Sequence, residues 1–373
     1  MDSLSVVIPG DQDVRVLGTV DLEGTIVSLG ITSSEPPRFD ARRLSQTDQV
    51  LVQVDAFSCN YRDKSLIVDS ASRMSANDWP VRDYFGSEFA GTVVACGDSV
   101  RRWKVGDRVM ADAAYPGADV QGVPSGIVTN HASSGWVVAH ERRLARIPDQ
   151  MSTEVAAAFS LGAQTAASMI RRAAVREGDR VLVASARSTT SIFLITALNQ
   201  LGAEVVASST SSWSPDEMRF VAPALVVGAA EDADHRVPRG AGDFDVVMDP
   251  FFDLNLGRTV PLLRMWGRYV TCGMQRQHPL FAAATRPQGT EIEAALLQVV
   301  VNNLSIIGNC IGLEHDLASA LESYDPAQPR VPVDGVFAIG DGIAFVDGTF
   351  NERTKFGKMV MVYSDGRGRE HVP

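Results

Sequence analysis

The chain has 373 residues, of which 45% are hydrophobic and 21% charged, and its formal net charge at pH 7 is −11. This length predicts two globular domains, and the acidic charge excludes the basic face that binds nucleic acids or anionic membranes. No apolar run predicts a transmembrane helix, and the first residues lack the basic and apolar segments of a signal peptide. The four cysteines form no C-x-x-C pair, so we expect reduced thiols and a cytoplasmic location.

The first 150 residues carry short strands separated by turn signals. Residues 49–57 alternate apolar and polar side chains, which is typical of a half-buried strand. Residues 90–95 and 106–110 form two further strands, and the Pro- and Gly-rich stretch 116–126 predicts a long loop. Strands at this spacing indicate a barrel-like β domain rather than a parallel sheet.

Strands and helices alternate after residue 148, which indicates βαβ units and a parallel sheet. The tail 331–362 returns to short strands and turns. The sequence therefore predicts an α/β protein in which a β-rich domain of residues 1–150 and 322–373 flanks a doubly wound domain of residues 151–321. The predicted elements of the second domain are helices at 153–174 and 190–201, the latter ended by Gly202, and strands at 180–184, 204–207, 245–248, 268–271 and 303–308.

Six short segments follow one another in a fixed order along the chain. They read N-Y-R-D at 60–63, G-S-E-F-A-G at 86–91, W-K-V-G-D-R-V at 103–109, a strand–turn–helix at 180–201, G-R-Y-V at 267–270 and F-G-K-M-V at 356–360. This set resembles the medium-chain dehydrogenase/reductase family, especially its quinone-reductase and polyketide enoyl-reductase branches. The resemblance implies a Rossmann domain for a nicotinamide dinucleotide, a GroES-like catalytic domain, and a cleft between them.

The zinc ligands of this family are not found in the sequence. Its zinc alcohol dehydrogenases place Cys and His where this chain has Asn60 and Ser87, and catalytic zinc needs three protein ligands. The structural zinc lobe needs four cysteines, and residues 112–136 contain none. The resemblance therefore implies the zinc-free branch. Without a Lewis acid, hydrogen bonds must polarise a carbonyl, which favours reduction of an activated alkene over alcohol oxidation.

The turn expected to hold the cofactor diphosphate has no glycine. Such turns usually read G-x-G-x-x-G, because glycine lets the backbone approach the diphosphate at a helix N-terminus. In one interpretation Ser185, Ser188, Thr189 and Thr190 contact the phosphates through their hydroxyls, and Arg187 adds positive charge. In the alternative the hydroxyls only cap the helix, and dinucleotide affinity is weakened or lost. We favour the first interpretation, because anion binding needs backbone N–H groups more than glycine itself.

Further residues are predicted to contact the cofactor. Ser208, Ser209 and Thr210 follow a strand where an NAD-specific site would carry an acid for the ribose hydroxyls. Hydroxyls tolerate a 2′-phosphate, so the loop favours NADPH over NADH, although an ordinary serine-rich loop has the same composition. By resemblance, Thr165 lies beside the nicotinamide, and Gly273 permits a close approach of the ring.

The N-Y-R-D segment faces the cleft in related proteins and supplies the catalytic candidates. Tyr61 is our first candidate proton donor, with a packing tyrosine as the alternative. Asn60 is a candidate for holding a substrate carbonyl through its amide. We include Asp63 in the same segment, with a structural pairing to Arg62 as its expected role. Glu88 is expected to be structural, because a buried carboxylate needs hydrogen-bond partners.

The sequence thus predicts a zinc-independent, NADPH-dependent reductase of an enoyl thioester, enone or quinone, with a place in natural-product biosynthesis implied by resemblance. Three alternatives stay open. The first is an oxidoreductase acting on a different substrate, such as an imine or a ketone. The others are a non-redox enzyme that has lost the dinucleotide, and a non-catalytic binding protein. The expected partners are a small-molecule substrate and, by resemblance, a second copy of the chain at the edge of the dinucleotide-domain sheet.

Overall fold

A computed structural model describes residues 1–10, 13–76, 81–117, 122–209, 211, 213–221, 225–227, 244–283, 291–327 and 331–363. The strands of this part of the chain are β1 Asp2–Val7, β2 Val14–Leu22, β3 Thr25–Ser33, β4 Gln49–Ser58, β5 Arg82–Asp83, β6 Glu88–Cys96, β7 Arg108–Ala111, β8 Trp136–His140, β9 Leu144–Arg146, β10 Arg180–Val183, β11 Glu204–Ser208, β12 Leu225–Val227, β13 Phe244–Asp249, β14 Leu263–Thr271, β15 Ser305–Gly308, β16 Val333–Ala338 and β17 Lys358–Val362. The α-helices are α1 Tyr61–Ser75, α2 Thr153–Ala156, α3 Ser160–Arg172, α4 Thr189–Leu201, α5 Pro215–Val221, α6 Phe252–Thr259, α7 Ile292–Val301, α8 Glu314–Glu322 and α9 Gly342–Phe350.

The β-rich part consists of two sheets, ordered β2-β3-β1-β5 and β16-β17-β4-β6-β7-β9, with β8 also pairing with β4. Its centre is β4, whose apolar side chains at alternating positions are buried, as its sequence pattern predicts. The last strand of the chain, β17, pairs antiparallel with β4, with Val360 opposite Ser58 and Val362 opposite Ala56. The tail therefore lies in the same sheet as the first part of the chain. The domain boundaries at residues 150 and 322 stay a prediction.

The second part is a parallel sheet in the order β12-β11-β10-β13-β14-β15. The inner strand β10 is an uninterrupted apolar run, and Val181, Leu182 and Val183 are fully buried, because helices cover both faces of such a sheet. Helix α4 ends at Gly202, whose left-handed φ of 82° caps the helix as predicted. The predicted fold class, a doubly wound parallel sheet joined to a β-rich GroES-like part, is confirmed.

The helices differ from the sequence prediction at three places. The interval 153–174, predicted as one helix, is divided into α2 and α3, because the N–H of Leu161 donates to the Glu88 carboxylate (2.8 Å) and begins a new helix there. Helix α1 begins at Tyr61, within the N-Y-R-D motif, in a region read as β-rich, and α9 lies in a tail read as strands and turns. No helix among the described residues has the length and apolar character needed to span a bilayer.

Candidate functional site

A cavity of about 860 Å³ lies where the carboxyl ends of the parallel strands face the β-rich part. Its volume is typical of a small-molecule or cofactor site. It opens beside β10 and β13, where the strand order reverses and ligands of doubly wound sheets bind. One wall is the turn after β10 with the ends of β11 and β14. The other wall is the start of α1 with the tail segment at residues 349–358.

The turn after β10 keeps a glycine-like backbone without glycine. Ser185 has a φ of 47°, in the left-handed region that costs an ordinary residue about 1 kcal/mol or more. Asn255 stabilises this conformation, because its amide donates to the Ser185 hydroxyl (3.1 Å) and to the buried carboxylate of Asp249 (2.9 Å). Asp249 in turn accepts hydrogen bonds from the Tyr269 hydroxyl (2.5 Å) and the N–H of Phe251 (2.9 Å). A buried polar network therefore holds the turn in shape.

The hydroxyls at the start of α4 already have protein partners. Ser188 caps the helix by accepting from the N–H of Ser191 (3.2 Å), and the Thr189 hydroxyl donates to the carbonyl of Gly357 (3.3 Å). Thr190 lines the cavity with them. The cap described by the alternative interpretation is thus present at Ser188. Contact of these hydroxyls with phosphate stays a prediction.

Arg187 lines the cavity, but its charge is already paired. The guanidinium makes two hydrogen bonds to Glu217 (2.7 and 3.2 Å), and it stacks near Trp213 and Phe356 with centroid distances of 5.7 and 5.6 Å. It also donates to the carbonyls of Thr354 and Lys355. Arg187 therefore does not offer the cofactor the free positive charge that we expected from the sequence.

The other predicted cofactor residues lie around the same cavity. Thr165, Ser208, Ser209 and Gly273 all line it, and Thr210 lies outside the described residues. The Thr165 hydroxyl donates to the carbonyl of Leu161 (2.7 Å) within its own helix. A Cβ at Gly273 would approach the carbonyl of Pro250 to 2.8 Å, so a side chain would be crowded there and the cavity keeps its depth.

A buried ammonium group lies on the opposite wall. Lys358 Nζ donates to Glu88 Oε2 (2.5 Å), to Asn60 Oδ1 (2.7 Å) and to Ser58 Oγ (3.1 Å), and only 4% of its side chain is exposed. Glu88 is fully buried and its other oxygen accepts from the N–H of Leu161. An ammonium has three donors, so Lys358 is saturated by this network.

The amide of Asn60 is engaged on both sides. Its oxygen accepts from Lys358, and its Nδ2 donates to Ser87 Oγ (3.1 Å) and to Glu88 Oε2 (3.2 Å). Asp63 accepts from the Ser87 hydroxyl (2.6 Å) and from the N–H of Asn60 (2.7 Å), and burial raises the pKa of its carboxyl group. A substrate carbonyl could receive the Asn60 amide only if this network opened. Asp63 is not among the residues that line the cavity, and its role stays a prediction.

Tyr61 lines the cavity and packs among aromatic rings. Its ring packs edge-on against Phe251 (5.7 Å) and Phe281 (6.4 Å), and the Lys64 ammonium lies 5.9 Å from its centroid. Burial, with smaller contributions from Glu23 and Asp253, raises the pKa of the phenol to about 12. The hydroxyl therefore keeps its proton through the neutral range, as a hydrogen-bond donor to a developing oxyanion must.

Three thiols also line the cavity, at Cys59, Cys272 and Cys310. Burial raises the pKa of each thiol, and for Cys272 the pKa rises to about 12. Because the thiolate is the reactive form, these cysteines are poor nucleophiles beside an electrophilic substrate.

The sequence interpretation missed Lys358, Lys355 and the pair Asp249–Asn255. The F-G-K-M-V segment contained Lys358 and marked its region, but only the fold brings that lysine 270 positions back to Glu88. The Asn255 contact with Ser185 joins two helix starts that are 70 positions apart, and no local pattern predicts it. Among the described residues, no group of three or more His, Cys, Asp or Glu side chains is placed to hold a metal ion.

Residues 46–149 match the family described as the alcohol dehydrogenase GroES-like domain. The polyketide synthase GfsB of Streptomyces halstedii is 30% identical over 64% of this chain, which spans 4% of that synthase. The acryloyl-coenzyme A reductase of Sulfurisphaera tokodaii is 22% identical over 84% of this chain and 92% of its own length. A crystal structure of an NAD-dependent alcohol dehydrogenase has a TM-score of 0.72 at 21% identity, over 94% of this chain and 99% of that chain.

A GroES-like part, a doubly wound parallel sheet and a cleft at the reversal of strand order define a class of two-part nucleotide-binding folds. Residues 46–149 belong to the alcohol dehydrogenase GroES-like domain family, and the chain as a whole has the fold of dehydrogenases and reductases that carry this domain. The findings support the medium-chain dehydrogenase/reductase resemblance expected from the six ordered motifs, and its zinc-free branch stays a prediction.

Proposed function

We propose that this protein is a zinc-independent reductase that uses NADPH to reduce an activated carbon–carbon double bond in an enoyl thioester, enone or quinone. The observation that carries the proposal is the single cavity with a dinucleotide-type turn on one wall and Tyr61 on the other. The acryloyl-coenzyme A reductase and the polyketide synthase among the relatives support this substrate class and a place in biosynthesis.

The residues present fit a dinucleotide. The left-handed backbone at Ser185 reproduces the turn that glycine usually forms, and the N-terminus of the 13-residue helix α4 offers backbone N–H groups to a diphosphate. Gly273 leaves space beside the sheet for a flat ring. Ser208 and Ser209 place hydroxyls rather than a carboxylate at the end of β11, which supports NADPH over NADH.

When bound, the nicotinamide supplies a hydride, and the protein must orient the alkene and supply a proton. The rings of Tyr61 and Phe251, backed by the buried Phe281, offer an apolar surface on which a planar enone or enoyl group can lie. The Tyr61 phenol donates a hydrogen bond to the substrate oxygen as negative charge develops there. We assign the proton that completes the reduction to the same hydroxyl.

Zinc independence is supported by the donor set. At the position of the zinc ligands in related dehydrogenases, this chain has an amide and a hydroxyl, Asn60 and Ser87; the amide oxygen of Asn60 accepts from Lys358, and its Nδ2 donates to Ser87. A divalent cation in that position would face the positive charge of Lys358 only a hydrogen-bond length away from Asn60. The residues present therefore do not fit a zinc ion.

One observation favours the non-redox alternative. The only cation in the turn, Arg187, is paired with Glu217, and the hydroxyls of Ser188 and Thr189 are engaged by protein groups. A chain that had lost the dinucleotide would have no need to keep these groups free.

Titration of the purified protein with NADPH and NADH, followed by nicotinamide fluorescence, separates the two functions. We expect tight binding of NADPH, weaker binding of NADH, and NADPH consumption when an enoyl thioester or a quinone is added. Binding of neither nucleotide would overturn the reductase proposal and make the non-redox enzyme the leading interpretation.

We also propose that a second copy of the chain is a partner. Strand β15 is the edge of the parallel sheet, and a row of unpaired backbone groups at such an edge can pair with its own copy about a twofold axis. Apolar side chains are exposed beside it, at Ile292, Leu296, Leu297, Val300 and Trp266. Light scattering after size exclusion should show a dimer, and Val300→Glu should give a folded monomer. A monomeric wild-type protein would contradict this proposal.

A further inference from the structure

The cavity wall formed by the turn after β10 carries no unpaired positive charge for a diphosphate. A dinucleotide carries a diphosphate, yet the turn at residues 185–190 contains one cation, Arg187, and that cation is paired with Glu217 at 2.7 Å. The N-terminus of α4 contributes only the partial charges of its N–H groups. A full positive charge beside the diphosphate would therefore have to come from another part of the chain.

The C-terminal tail is held against this turn. Arg187 donates to the carbonyls of Thr354 and Lys355, and the Thr189 hydroxyl donates to the carbonyl of Gly357. These contacts join the two walls of the cleft, because residues 354–357 lead directly into β17 of the β-rich part. Any side chain of this tail segment that enters the cavity lies close to the start of α4.

Lys355 is the half-buried cation of the segment, and its charge is not matched by a carboxylate, whereas Arg353, which also lines the cavity, is exposed. The side chain of Lys355 lines the cavity and its ammonium donates to a neutral group, the carbonyl of Thr349. In the described part of the chain, no carboxylate lies within 4.0 Å of this ammonium. The two other buried lysines differ, because Lys358 has Glu88 at 2.5 Å and Lys64 has Glu23 at 2.6 Å.

The groups that face Lys355 explain why an anion would be favourable there. They are Lys358, Asp334, Cys59 and Lys64. Burial and the like charge of Lys358 lower the pKa of Lys355 to about 8, and Asp334 opposes them only in part. An anionic ligand in the cavity would offset both the lost hydration and the repulsion.

We propose that the ammonium of Lys355 is the cationic contact for the diphosphate of the bound dinucleotide, supplied to the glycine-free turn from the opposite wall of the cleft. The proposal rests on the proposed function. It assigns the diphosphate-binding charge to the C-terminal tail instead of to the turn, and it makes cofactor binding depend on the two parts of the chain being held together.

The test compares Lys355→Met and Lys355→Arg in the full chain, with Lys104→Met as a control. Lys104 is an exposed lysine of the β-rich part, so its removal changes the net charge equally but touches nothing in the cleft. We expect Lys355→Met to weaken binding of NADPH and NADH by a similar factor, roughly 10- to 100-fold. Lys355→Arg should retain most of the affinity, and the control should match the wild type.

Two further readouts separate a direct contact from a general structural effect. Inorganic pyrophosphate should compete with NADPH for the wild-type protein and lose this ability in Lys355→Met. Wild-type affinity should fall as pH rises through about 8, where the ammonium of the free protein loses its proton, while the Arg variant should show no such fall.

Each outcome has one meaning. If the wild type binds NADPH and Lys355→Met binds it equally well, the proposed function stands and the role of Lys355 is overturned. If the wild type binds neither nucleotide but binds pyrophosphate through Lys355, the anion site stands and the proposed function fails. If neither nucleotide nor pyrophosphate binds, both are overturned.

Discussion

The β-rich wall of the cleft and the wall formed by the parallel sheet each lack a feature that their motifs usually carry. On the β-rich wall, an ammonium from Lys358 fills the place between Asn60 and Glu88, and every donor and acceptor there is engaged. On the sheet wall, Ser185 keeps the backbone shape of a glycine turn, but the one cation of the turn, Arg187, is paired with Glu217.

The comparison teaches that the two walls depend on different interactions. On the β-rich wall, Lys358, Glu88 and Asn60 form a closed polar network, whose value is structural and electrostatic. The sheet wall preserves backbone geometry and depends on the tail of the other part for its charge. Variants that break each set of interactions should therefore fail differently, the first in folding and the second in cofactor binding.

The largest effect is expected at the buried ion pair. Lys358→Met should lower the free energy of unfolding by about 3–5 kcal/mol, because Glu88 is then left as an uncompensated buried charge. Denaturant unfolding followed by circular dichroism measures this loss. The double variant Glu88→Gln, Lys358→Met should recover part of it, since no buried charge remains. A single variant as stable as the wild type would contradict a closed network at this wall.

The next effect concerns the chemistry on the same wall. Tyr61→Phe keeps the ring that packs on Phe251 and removes only the hydroxyl, so we expect turnover of an enoyl substrate to fall by about 10² or more. NADPH affinity should stay unchanged, and Tyr84→Phe, outside the cavity lining, should turn over normally. Since the pKa of the phenol is about 12, the hydroxyl stays protonated, and its contribution to turnover should not change between neutral pH and about pH 10. Unchanged turnover would remove Tyr61 as the proton donor.

On the sheet wall, the backbone of the turn can be tested directly. Ser185→Val should destabilise the protein by about 1–3 kcal/mol and weaken NADPH binding, because a β-branched residue is strained at a φ of 47°. Ser185→Gly tolerates this φ and should bind NADPH at least as well as the wild type. Thermal unfolding and nucleotide titration of both variants give the comparison. Equal nucleotide affinity of the two variants would mean that the shape of this turn does not matter for binding.

The smallest expected effect is a gain in stability at Lys355. Its pKa is lowered from 10.5 to about 8 in the folded protein, so the folded state holds the proton less tightly than the unfolded state. The charged ammonium therefore destabilises the folded state in full below about pH 8, and this destabilisation disappears as pH rises to 10.5. Lys355→Met should therefore be more stable than the wild type at pH 7, by roughly 1 kcal/mol after solvent screening. The difference should vanish in alkaline solution, and a variant less stable at pH 7 would contradict the unmatched charge.

Local patterns predicted much of the architecture. Alternation along β4, the apolar run of β10 and the glycine after α4 each act through neighbours in sequence, so their elements could be read before the fold was known. The split between α2 and α3 could not be read in this way, because Glu88, a residue 73 positions away, provides the hydrogen bond that begins α3.

The sequence by itself determined the fold class and pointed to part of the residues that line the cleft, since ordered motifs and hydrophobic periods are properties of the chain alone. Only the tertiary structure decided what those residues are free to do. Partners distant in sequence decide whether the Asn60 amide can reach a substrate and whether Arg187 offers a free charge. They also decide that the ammonium of Lys355 donates to a carbonyl and not to a carboxylate. Hydrogen-bond saturation and charge pairing depend on distances of a few ångströms between such partners, and no pattern of neighbouring residues contains those distances.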